Sequence, residues 1–340
     1  MKKMWMALIV AMMTFVVACG ANDEKEPTEQ TDGEEQVSGT IQFYTSQPDS
    51  DAEALVKAFK EKYPDIDVQT FRSGTEEVIG KVLAEKEAGS VQADVLLVAD
   101  AVTFERLKEE DLLQAYESKE MAEIPEAFID SDFMYAGTKA MATVIATNHD
   151  VASTVPTKWA DLLKESEKGQ AVMPSPLYSG AAAYNVGVFT RQSLGWEMFE
   201  QLKQNDLMVV QGNGAALKEV QSGQRAHALV VDFIVARAIQ EGSPLTLTYP
   251  EEGVPVITEP IALMKDAKNE EAAKHFIDFV LSKEGQELAR SLGYTPIRED
   301  LEAPEGLKSI QDMNVMEADL KQLVQEREED KRQFSQLFGE

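Results

Sequence analysis

The sequence contains very little cysteine: Cys19 is the only one among 340 residues. A single cysteine cannot form a disulfide within the chain, so the folded part has to be stabilised by packing. Motifs for hydrolytic or nucleotide chemistry are also missing, since there is no G-x-S-x-G, H-E-x-x-H, C-x-x-C or P-loop pattern. The three histidines, at 149, 227 and 275, fall in different predicted elements. These absences predict a protein that is not an enzyme and that needs no cofactor or metal.

Positive charge is scarce as well. The chain has 32 lysines and arginines against 60 acidic residues, which gives a net charge of −28. Such a surface repels nucleic acid, so nucleic acid is excluded as a partner. Long apolar runs are equally rare. The longest, at residues 4–17, has 14 residues and is too short to cross a hydrocarbon core of about 30 Å.

The amino terminus has the pattern of an export signal. Lys2 and Lys3 precede the apolar run, and the small residues Ala18 and Gly20 flank Cys19. This order is typical of a signal peptide, here residues 1–18, whose removal exposes a cysteine for lipid attachment. Residues 19–38 are acidic and almost free of large apolar side chains, which predicts a disordered stalk. We expect a protein tethered to the outer face of the cell membrane through lipid on Cys19.

The remaining chain alternates short apolar strands with amphipathic helices, as in parallel α/β sheets. A strand at 41–44 is followed by a helix, a strand at 66–71, a second helix and a continuous apolar strand at 94–98. The rhythm breaks near 133–148 and then resumes. About 300 residues are enough for two lobes. The predicted fold class is therefore α/β, with two doubly wound lobes joined by a two-strand hinge.

The two extended stretches that break the rhythm are interpreted as crossings between the lobes. This assignment places the first lobe at 39–141 plus 262–340, the second at 148–255, and the crossings at 142–147 and 256–261. Two sequential domains joined by one linker remain an alternative, because pattern alone does not count crossings.

Small hydroxyl and glycine residues recur where predicted helices begin. Free amides at a helix start attract an oxyanion, and hydroxyls add donors without fixed charge. In an α/β fold such loops lie at the carboxyl ends of strands, where ligands bind. Each residue taken alone is most simply a helix cap, but the recurrence on both lobes predicts a shared anion site. Its candidate residues are Thr45, Ser46, Ser73, Gly74, Thr75, Ser175, Ser179, Gly180 and Ala181.

Asp232 is a further candidate because it ends an apolar strand and begins a helix. The simple interpretation is an N-cap. The functional interpretation is a carboxylate at the mouth of a cleft, where it accepts hydrogen bonds from a ligand hydroxyl or ammonium group.

Four segments make the chain resemble the extracellular solute-binding proteins of ABC importers. The similarity is greatest to the cluster of ferric-iron, phosphonate and sugar-phosphate binders, which have the type 2 periplasmic-binding-protein fold. The segments are Tyr44-Thr45-Ser46-Gln47, Ala93-Asp94-Val95, Ser179-Gly180-Ala181 and Leu292-Gly293-Tyr294-Thr295-Pro296-Ile297.

The resemblance implies a monomeric binding protein that closes on a small anionic solute and docks to a membrane permease. In ferric-binding relatives a Ser-Gly-Ala turn, matched by 179–181, holds an anion beside the iron. The two tyrosines that bind iron in those relatives are matched here by Asp232 and Phe233, so an organophosphate or phosphonate is favoured. Ferric iron remains an alternative, with Tyr44, Tyr178, Tyr184 and Asp232 as its possible ligands. An extracellular phosphate-ester enzyme is a further alternative that no sequence feature supports.

Overall fold

A computed structural model describes residues 37–192 and 195–339 of the chain. The predicted signal peptide, Cys19 and all but the end of the predicted stalk lie outside the described residues. Within those residues, no helix is both long enough and apolar enough to cross a membrane.

The described part of the chain folds into eleven strands and ten α-helices, joined by short 3₁₀ turns. The strands are β1 Gly39–Thr45, β2 Ile66–Arg72, β3 Val95–Leu97, β4 Leu113–Gln114, β5 Ala136–Asn148, β6 Ala171–Pro174, β7 Met208–Val210, β8 His227–Val231, β9 Leu245–Thr248, β10 Val256–Met264 and β11 Thr295–Pro296. The helices are α1 Asp49–Lys62, α2 Thr75–Glu87, α3 Ala101–Glu109, α4 Gly180–Thr190, α5 Gly195–Gln204, α6 Asn213–Gln221, α7 Asp232–Gln240, α8 Glu270–Leu281, α9 Lys283–Ser291 and α10 Leu320–Phe338.

The first lobe contains a mixed sheet built on two parallel crossovers. β1 pairs in parallel with β2 and with β3, so that Tyr44 lies beside Phe71 and Leu96. β10 then runs antiparallel to β3. The apolar side of this sheet packs against α1 and α8, where Phe43, Phe59 and Phe276 are fully buried. Parallel strands require crossover connections, and α1 and α2 supply them.

The second lobe repeats this arrangement with other strands. β6 pairs in parallel with β7 and β8, and β8 runs antiparallel to β5. Its core contains the fully buried Trp159, whose indole nitrogen donates to the carbonyl of Gly253 at 2.8 Å. The sequence at 159–165 has a helical pattern, but the structure forms only a short 3₁₀ turn at Trp159–Leu163.

Two long strands connect the lobes. β5 has 13 residues, all buried, and pairs with β10 at its start and with β8 and β9 at its end. The predicted crossings at 142–147 and 256–261 fall within β5 and β10. Strand order across the whole sheet is β2-β1-β3-β10-β5-β8-β6-β7. The predicted α/β class with a two-strand connection is therefore confirmed, while the exact lobe boundaries stay a prediction.

The last helix, α10, packs differently from what the sequence predicted. Its apolar residues Leu323 and Phe334 are buried in the core of the second lobe, where the Phe334 ring lies 5.8 Å from that of Phe199. The sequence assignment had placed all of 262–340 in the first lobe. Helical periodicity identified the apolar stripe but carries no information on which core the stripe contacts.

Candidate functional site

A cavity of about 670 Å³ lies between the lobes, at the carboxyl ends of strands from both. The loops after β1, β2 and β3 form one wall, and those after β6, β7 and β8 form the other. Residues of β5, β10 and the segment before β11 form the floor. The residues that line this cavity include Ser46, Arg72, Gly74, Thr75, Ala99, Tyr178, Ser179, Ala181, Gly212, Asn213, Lys218, Glu259 and Tyr294.

The first-lobe wall contains the start of α2. Gly74 is the N-cap of this 13-residue helix, and Thr75 is its first residue. A Cβ at Gly74 would lie 2.6 Å from the ring of Tyr178 across the cavity, so the close approach of the two walls requires glycine. The backbone N–H of Glu76 donates to the carbonyl of Tyr178 at 3.3 Å. The walls are therefore in direct contact, as in a closed form of a hinged protein.

The second-lobe wall contains the starts of α4 and α6. Ser179 caps α4, where its Oγ accepts from the N–H of Ala182 at 3.3 Å. Asn213, the first residue of α6, donates through Nδ2 to the same Oγ at 3.3 Å and accepts at Oδ1 from the N–H of Val231 at 3.2 Å. The simple cap role expected for Ser179 is thus present, and the residue also lines the cavity.

Five helices begin at this cavity, since the N-caps of α1 and α7, Pro48 and Val231, line it together with those of α2, α4 and α6. The first residues of α1 and α7 are Asp49 and Asp232, so the other three helix starts are the ones that favour an anion. α2, α4 and α6 have 13, 11 and 9 residues, and each N-cap residue lines the space between the lobes. A helix start carries partial positive charge and free amide donors. An anion in this cavity would be attracted by all three.

The structure brings five of the predicted site residues to the cavity: Ser46, Gly74, Thr75, Ser179 and Ala181. Segments of the two lobes come close beside Gly180, where Thr75 and Ala99 of the first lobe are its neighbours. A Cβ at Gly180 would lie 2.7 Å from the carbonyl oxygen of Ala99.

The other predicted residues lie behind or beside the cavity. Thr45 is fully buried, with its Oγ1 accepting from the N–H of Gln47 at 3.1 Å. Ser73 is half-buried, and its hydroxyl donates to the carboxylate of Glu77. Ser175 is buried and accepts from the N–H of Leu177 at 3.1 Å. Such local side-chain bonds follow backbone conformation, which the sequence pattern does not reveal.

Asp232 lies inside the protein rather than at the cleft mouth. It has no exposed surface, and its Oδ2 accepts from the hydroxyl of Tyr249 at 3.0 Å. Its Oδ1 accepts from the N–H of Phe233 at 2.8 Å. Burial raises the pKa of Asp232 to about 7, although these hydrogen bonds act in the opposite direction. The strand-to-helix position was read correctly, but the carboxylate points away from the cavity because it is held by Tyr249.

Sequence reasoning missed the charged residues of the cavity. Arg72 ends β2, and its Nε donates to the carbonyl of Gln47 at 2.7 Å. Lys218 lies on α6, about one turn after its start, and its side chain is exposed at the cavity. Arg72 directly precedes the candidate Ser73, which is a weak signal, whereas nothing in the sequence pattern marks Lys218.

The floor of the cavity holds a buried ion pair. Lys139 and Glu259, on β5 and β10, lie 2.5 Å apart, with side chains 3% and 6% exposed. Tyr294 lies beside them, and its hydroxyl donates to Asp51 at 2.6 Å, which also pairs with Arg237 at 3.0 Å. Burial raises the pKa of Tyr294 well above its ordinary value, so its phenol stays protonated.

The residues suggested for ferric iron do not converge. Tyr44 is buried away from the cavity and donates to Glu85 at 2.8 Å. Of the suggested ligands only Tyr178 lines the cavity. Among residues 37–192 and 195–339, no group of three or more His, Cys, Asp or Glu side chains is placed to hold a metal ion.

Residues 54–315 match the sequence profile of the bacterial extracellular solute-binding proteins. The chain belongs to this family. The sequence-based identification of an extracellular solute-binding protein, of the kind that serves ABC importers, is thereby confirmed. The family consists of binding proteins and not of enzymes.

One curated relative and two solved structures are similar to this chain. The probable ABC transporter periplasmic-binding protein y4fP of Sinorhizobium fredii is 22% identical over 224 residues, which are 63% of this chain and 62% of the relative. The periplasmic binding protein AfuA of Actinobacillus pleuropneumoniae, solved with fructose 6-phosphate, has a TM-score of 0.81 at 22% identity and covers 89% of this chain and 99% of its own. Iron-bound HitA of Pseudomonas aeruginosa has a TM-score of 0.77 at 24% identity, covering 87% of this chain and 99% of its own. These likenesses confirm the type 2 periplasmic-binding-protein fold.

Proposed function

We propose that this protein is the substrate-binding component of an ABC importer and that its solute is a small organophosphate or phosphonate. The solute would be held in the inter-lobe cavity and presented, in the closed form, to a membrane permease. The observation that carries this proposal is the meeting of three helix N-termini, those of α2, α4 and α6, at one cavity.

The donors of this cavity suit a phosphate group. Ser179 and Thr75 contribute hydroxyls, and the amides at the helix starts contribute N–H groups without fixed charge. Arg72 and Lys218 add two cations at the same cavity. The net charge of −28 does not oppose binding, because distant carboxylates are screened by salt while the local dipoles act at contact distance.

The far end of the solute would meet the floor of the cavity. Glu259 lines it, and one of its oxygens is engaged by Lys139. The second oxygen is available to accept a hydrogen bond from a solute hydroxyl. In this proposal Ser46, Gly74, Thr75, Ser179, Gly180 and Ala181 surround the phosphate, and Glu259 replaces Asp232 as the carboxylate that contacts the rest of the molecule.

Ferric iron is the second candidate, because Tyr178 lines the cavity and iron-bound HitA has a similar fold. The two differ in a visible property. A phenolate–Fe(III) complex absorbs visible light, whereas an organophosphate complex does not.

The test is a thermal-shift screen followed by calorimetric titration. The probes are fructose 6-phosphate, a simple alkylphosphonate, inorganic phosphate and ferric citrate. We expect phosphate esters or phosphonates to raise the melting temperature by mass action. A visible absorption band with ferric citrate, and no response to the phosphorus compounds, would overturn the proposal.

Ser179→Ala is the variant that tests the site. Losing a hydrogen bond to a charged ligand costs about 1.5–3 kcal/mol, roughly 10- to 100-fold in Kd. Ser282→Ala is its matched control, since Ser282 caps α9 through the N–H of Gly285 at 3.2 Å and lies away from the cavity. Both variants lose a helix cap, but only Ser179 lines the cavity, so only Ser179→Ala should weaken binding. Equal Kd values in the two would exclude Ser179 from the site.

The membrane tether is a second part of the proposal. Ser or Ala in place of Cys19 should release the protein from membranes into the soluble fraction of export-competent cells. Mass spectrometry of the wild-type amino terminus should find a lipid on Cys19. An unmodified Cys19 in membrane-free protein would contradict the tether.

A further inference from the structure

The helix α10 presents two chemically different faces. Its apolar face belongs to the second lobe: Leu323 packs on Gly187 of α4, where a Cβ would lie 2.8 Å from it, and Phe334 contacts Phe199. Arg191, the C-cap of α4, strengthens this attachment by pairing with Asp330 at 2.7 Å. Because apolar burial is the main source of its attachment, α10 should move with the second lobe.

The polar face of α10 contacts the first lobe. Arg327 pairs through Nη1 with Asp100 at 2.8 Å and through Nη2 with Glu76 at 3.0 Å. Lys331 reaches the other oxygen of Glu76 at 2.7 Å. At the edge, Arg106 of α3 pairs with Glu328 at 2.6 Å. The contact between α10 and the first lobe thus consists mainly of ion pairs, with Val102 of α3 as the buried apolar residue that joins the cluster of Leu323 and Phe334.

These pairs lie directly behind the cavity. Glu76 follows Thr75 in the chain, and Asp100 follows Ala99; both Thr75 and Ala99 line the cavity. Asp100 is the N-cap of α3, accepting from the N–H of Thr103 at 2.9 Å. One guanidinium therefore binds the two first-lobe segments that contact the second lobe beside Gly180.

The central pairs are well buried, which makes them sensitive to any loss of a partner. The side chains of Arg327 and Asp100 are 7% and 1% exposed. Burial alone raises the pKa of Glu76, but Arg327 and Lys331 outweigh it and hold that pKa below its ordinary value. Removing one member of such a cluster leaves the others buried without compensation.

Opening the lobes would return every one of these charges to water. In the open form each of these charges is hydrated whether or not its partner is present, whereas in the closed form Asp100 and Glu76 are buried and depend on Arg327 for compensation. Loss of Arg327 therefore destabilises the closed form and not the open one. A contact made only in the closed form shifts the equilibrium towards that form and tightens ligand binding accordingly.

We propose that α10 is a strap of the second lobe that latches the closed form, with Arg327 as its central positioning residue for Glu76 and Asp100. The effect on affinity rests on the proposed function, whereas the effect on lobe separation does not depend on the ligand. The two can therefore fail separately.

The experiment measures lobe separation by pulsed electron paramagnetic resonance between spin labels. The full chain carries Cys19→Ser, so that labels attach only at Glu87→Cys on the first lobe and Gln224→Cys on the second, both exposed positions. Arg327→Met removes the latch. Arg332→Met is the control, because Arg332 lies on the same helix but pairs only with its neighbour Glu329 on the exposed side. Arg327→Lys is the conservative variant.

We expect Arg327→Met to shift the distance distribution of the ligand-free protein to longer values, or to speed dissociation of fructose 6-phosphate at least tenfold. Arg327→Lys keeps the positive charge, so its distances and dissociation rate should lie between those of Arg327→Met and wild type. Arg332→Met should match the wild type. If Arg327→Met does not fold, Glu76→Gln removes the latch from the other lobe and is measured in the same way.

A variant with a lower melting temperature but unchanged distances and unchanged dissociation would overturn the latch, since Arg327 would then only stabilise the fold. If the wild type binds none of the phosphorus compounds, the proposed function fails. The latch is then tested by the ligand-free distances alone. If Arg327→Met gives the same distances as the wild type, the latch is overturned.

Discussion

The buried carboxylate of Asp232 should make the stability of this protein depend on pH in an unusual direction. Burial raises the pKa of Asp232 in the folded state to about 7, against an ordinary value of 3.8. Between these two values the folded protein binds more protons than the unfolded chain. Stability from this group is therefore fully present below pH 4 and is lost as pH rises towards 7.

The size of the effect follows from the shift. A difference of about 3 pKa units corresponds to roughly 4 kcal/mol over the whole range, and to a smaller part of it between pH 5 and 8. Asp232→Asn removes the titration, while its amide oxygen still accepts from Tyr249 or from the N–H of Phe233. Relative to the wild type, the variant should therefore gain stability as pH rises.

The assay is urea unfolding of both proteins at pH 5, 6, 7 and 8. Asp206→Asn is the control, because Asp206 is an exposed aspartate whose backbone, with φ of 55°, tolerates asparagine equally well. The difference in free energy of unfolding between Asp232→Asn and wild type should grow by about 2–3 kcal/mol from pH 5 to pH 8. A difference that stays constant over this range would refute the reasoning.

Three other predictions concern a buried histidine, a wall of the cavity and the last helix. Burial lowers the pKa of His227, which lies between Thr147 and Glu167, so the unfolded chain binds more protons than the folded protein as pH falls. In urea unfolding, wild type should therefore lose stability relative to His227→Gln between pH 7 and pH 5. A gain in stability over this range would contradict the prediction. Gly74→Ala should weaken solute binding about tenfold, because the new Cβ would push on the Tyr178 ring. Gly80→Ala is the control in the same helix: no atom lies near its Cβ, so it should bind solute normally and gain about 0.5–1 kcal/mol of stability. Equal Kd values for the two variants would show that the walls need not close at Gly74. Phe334→Ala should lower the free energy of unfolding by about 3–5 kcal/mol, because Phe334 is fully buried against Phe199 and Phe338. A loss below about 1 kcal/mol would show that α10 is not part of the second-lobe core.

Much of the fold could be read from the sequence because hydrophobic periodicity reflects burial directly. The apolar strand at 94–98 and the stripe of α2 follow from local pattern. The long apolar run at 141–147 was recognised as an interruption of the βα rhythm, and it is the buried strand β5 that joins the lobes. Ser50 and Glu53 have the spacing of a capping box, but α1 begins at Asp49 with Pro48 as its N-cap, so Ser50 lies inside the helix. Local hydrogen-bond choices of this kind depend on backbone angles that residue type alone does not fix.

The site was harder to predict because its residues converge only in three dimensions. The hydroxyl and glycine segments were found through their positions at helix starts, which is a one-dimensional signal. Arg72, Lys218 and Glu259 have no such signal, since any exposed strand end or helix can carry a charge. Asp232 had the expected position in the chain, but the side chain of Tyr249, 17 residues away, decides where it points.

The central claim is that the cavity recognises a phosphate group through the starts of α2, α4 and α6. The most direct measurement is a calorimetric titration of the full chain with fructose 6-phosphate and, in parallel, with fructose, which differs only by lacking the phosphate. We expect the phosphate ester to bind at least 100-fold more tightly than the neutral sugar. Equal affinities for the two sugars, or binding of the neutral sugar alone, would contradict it.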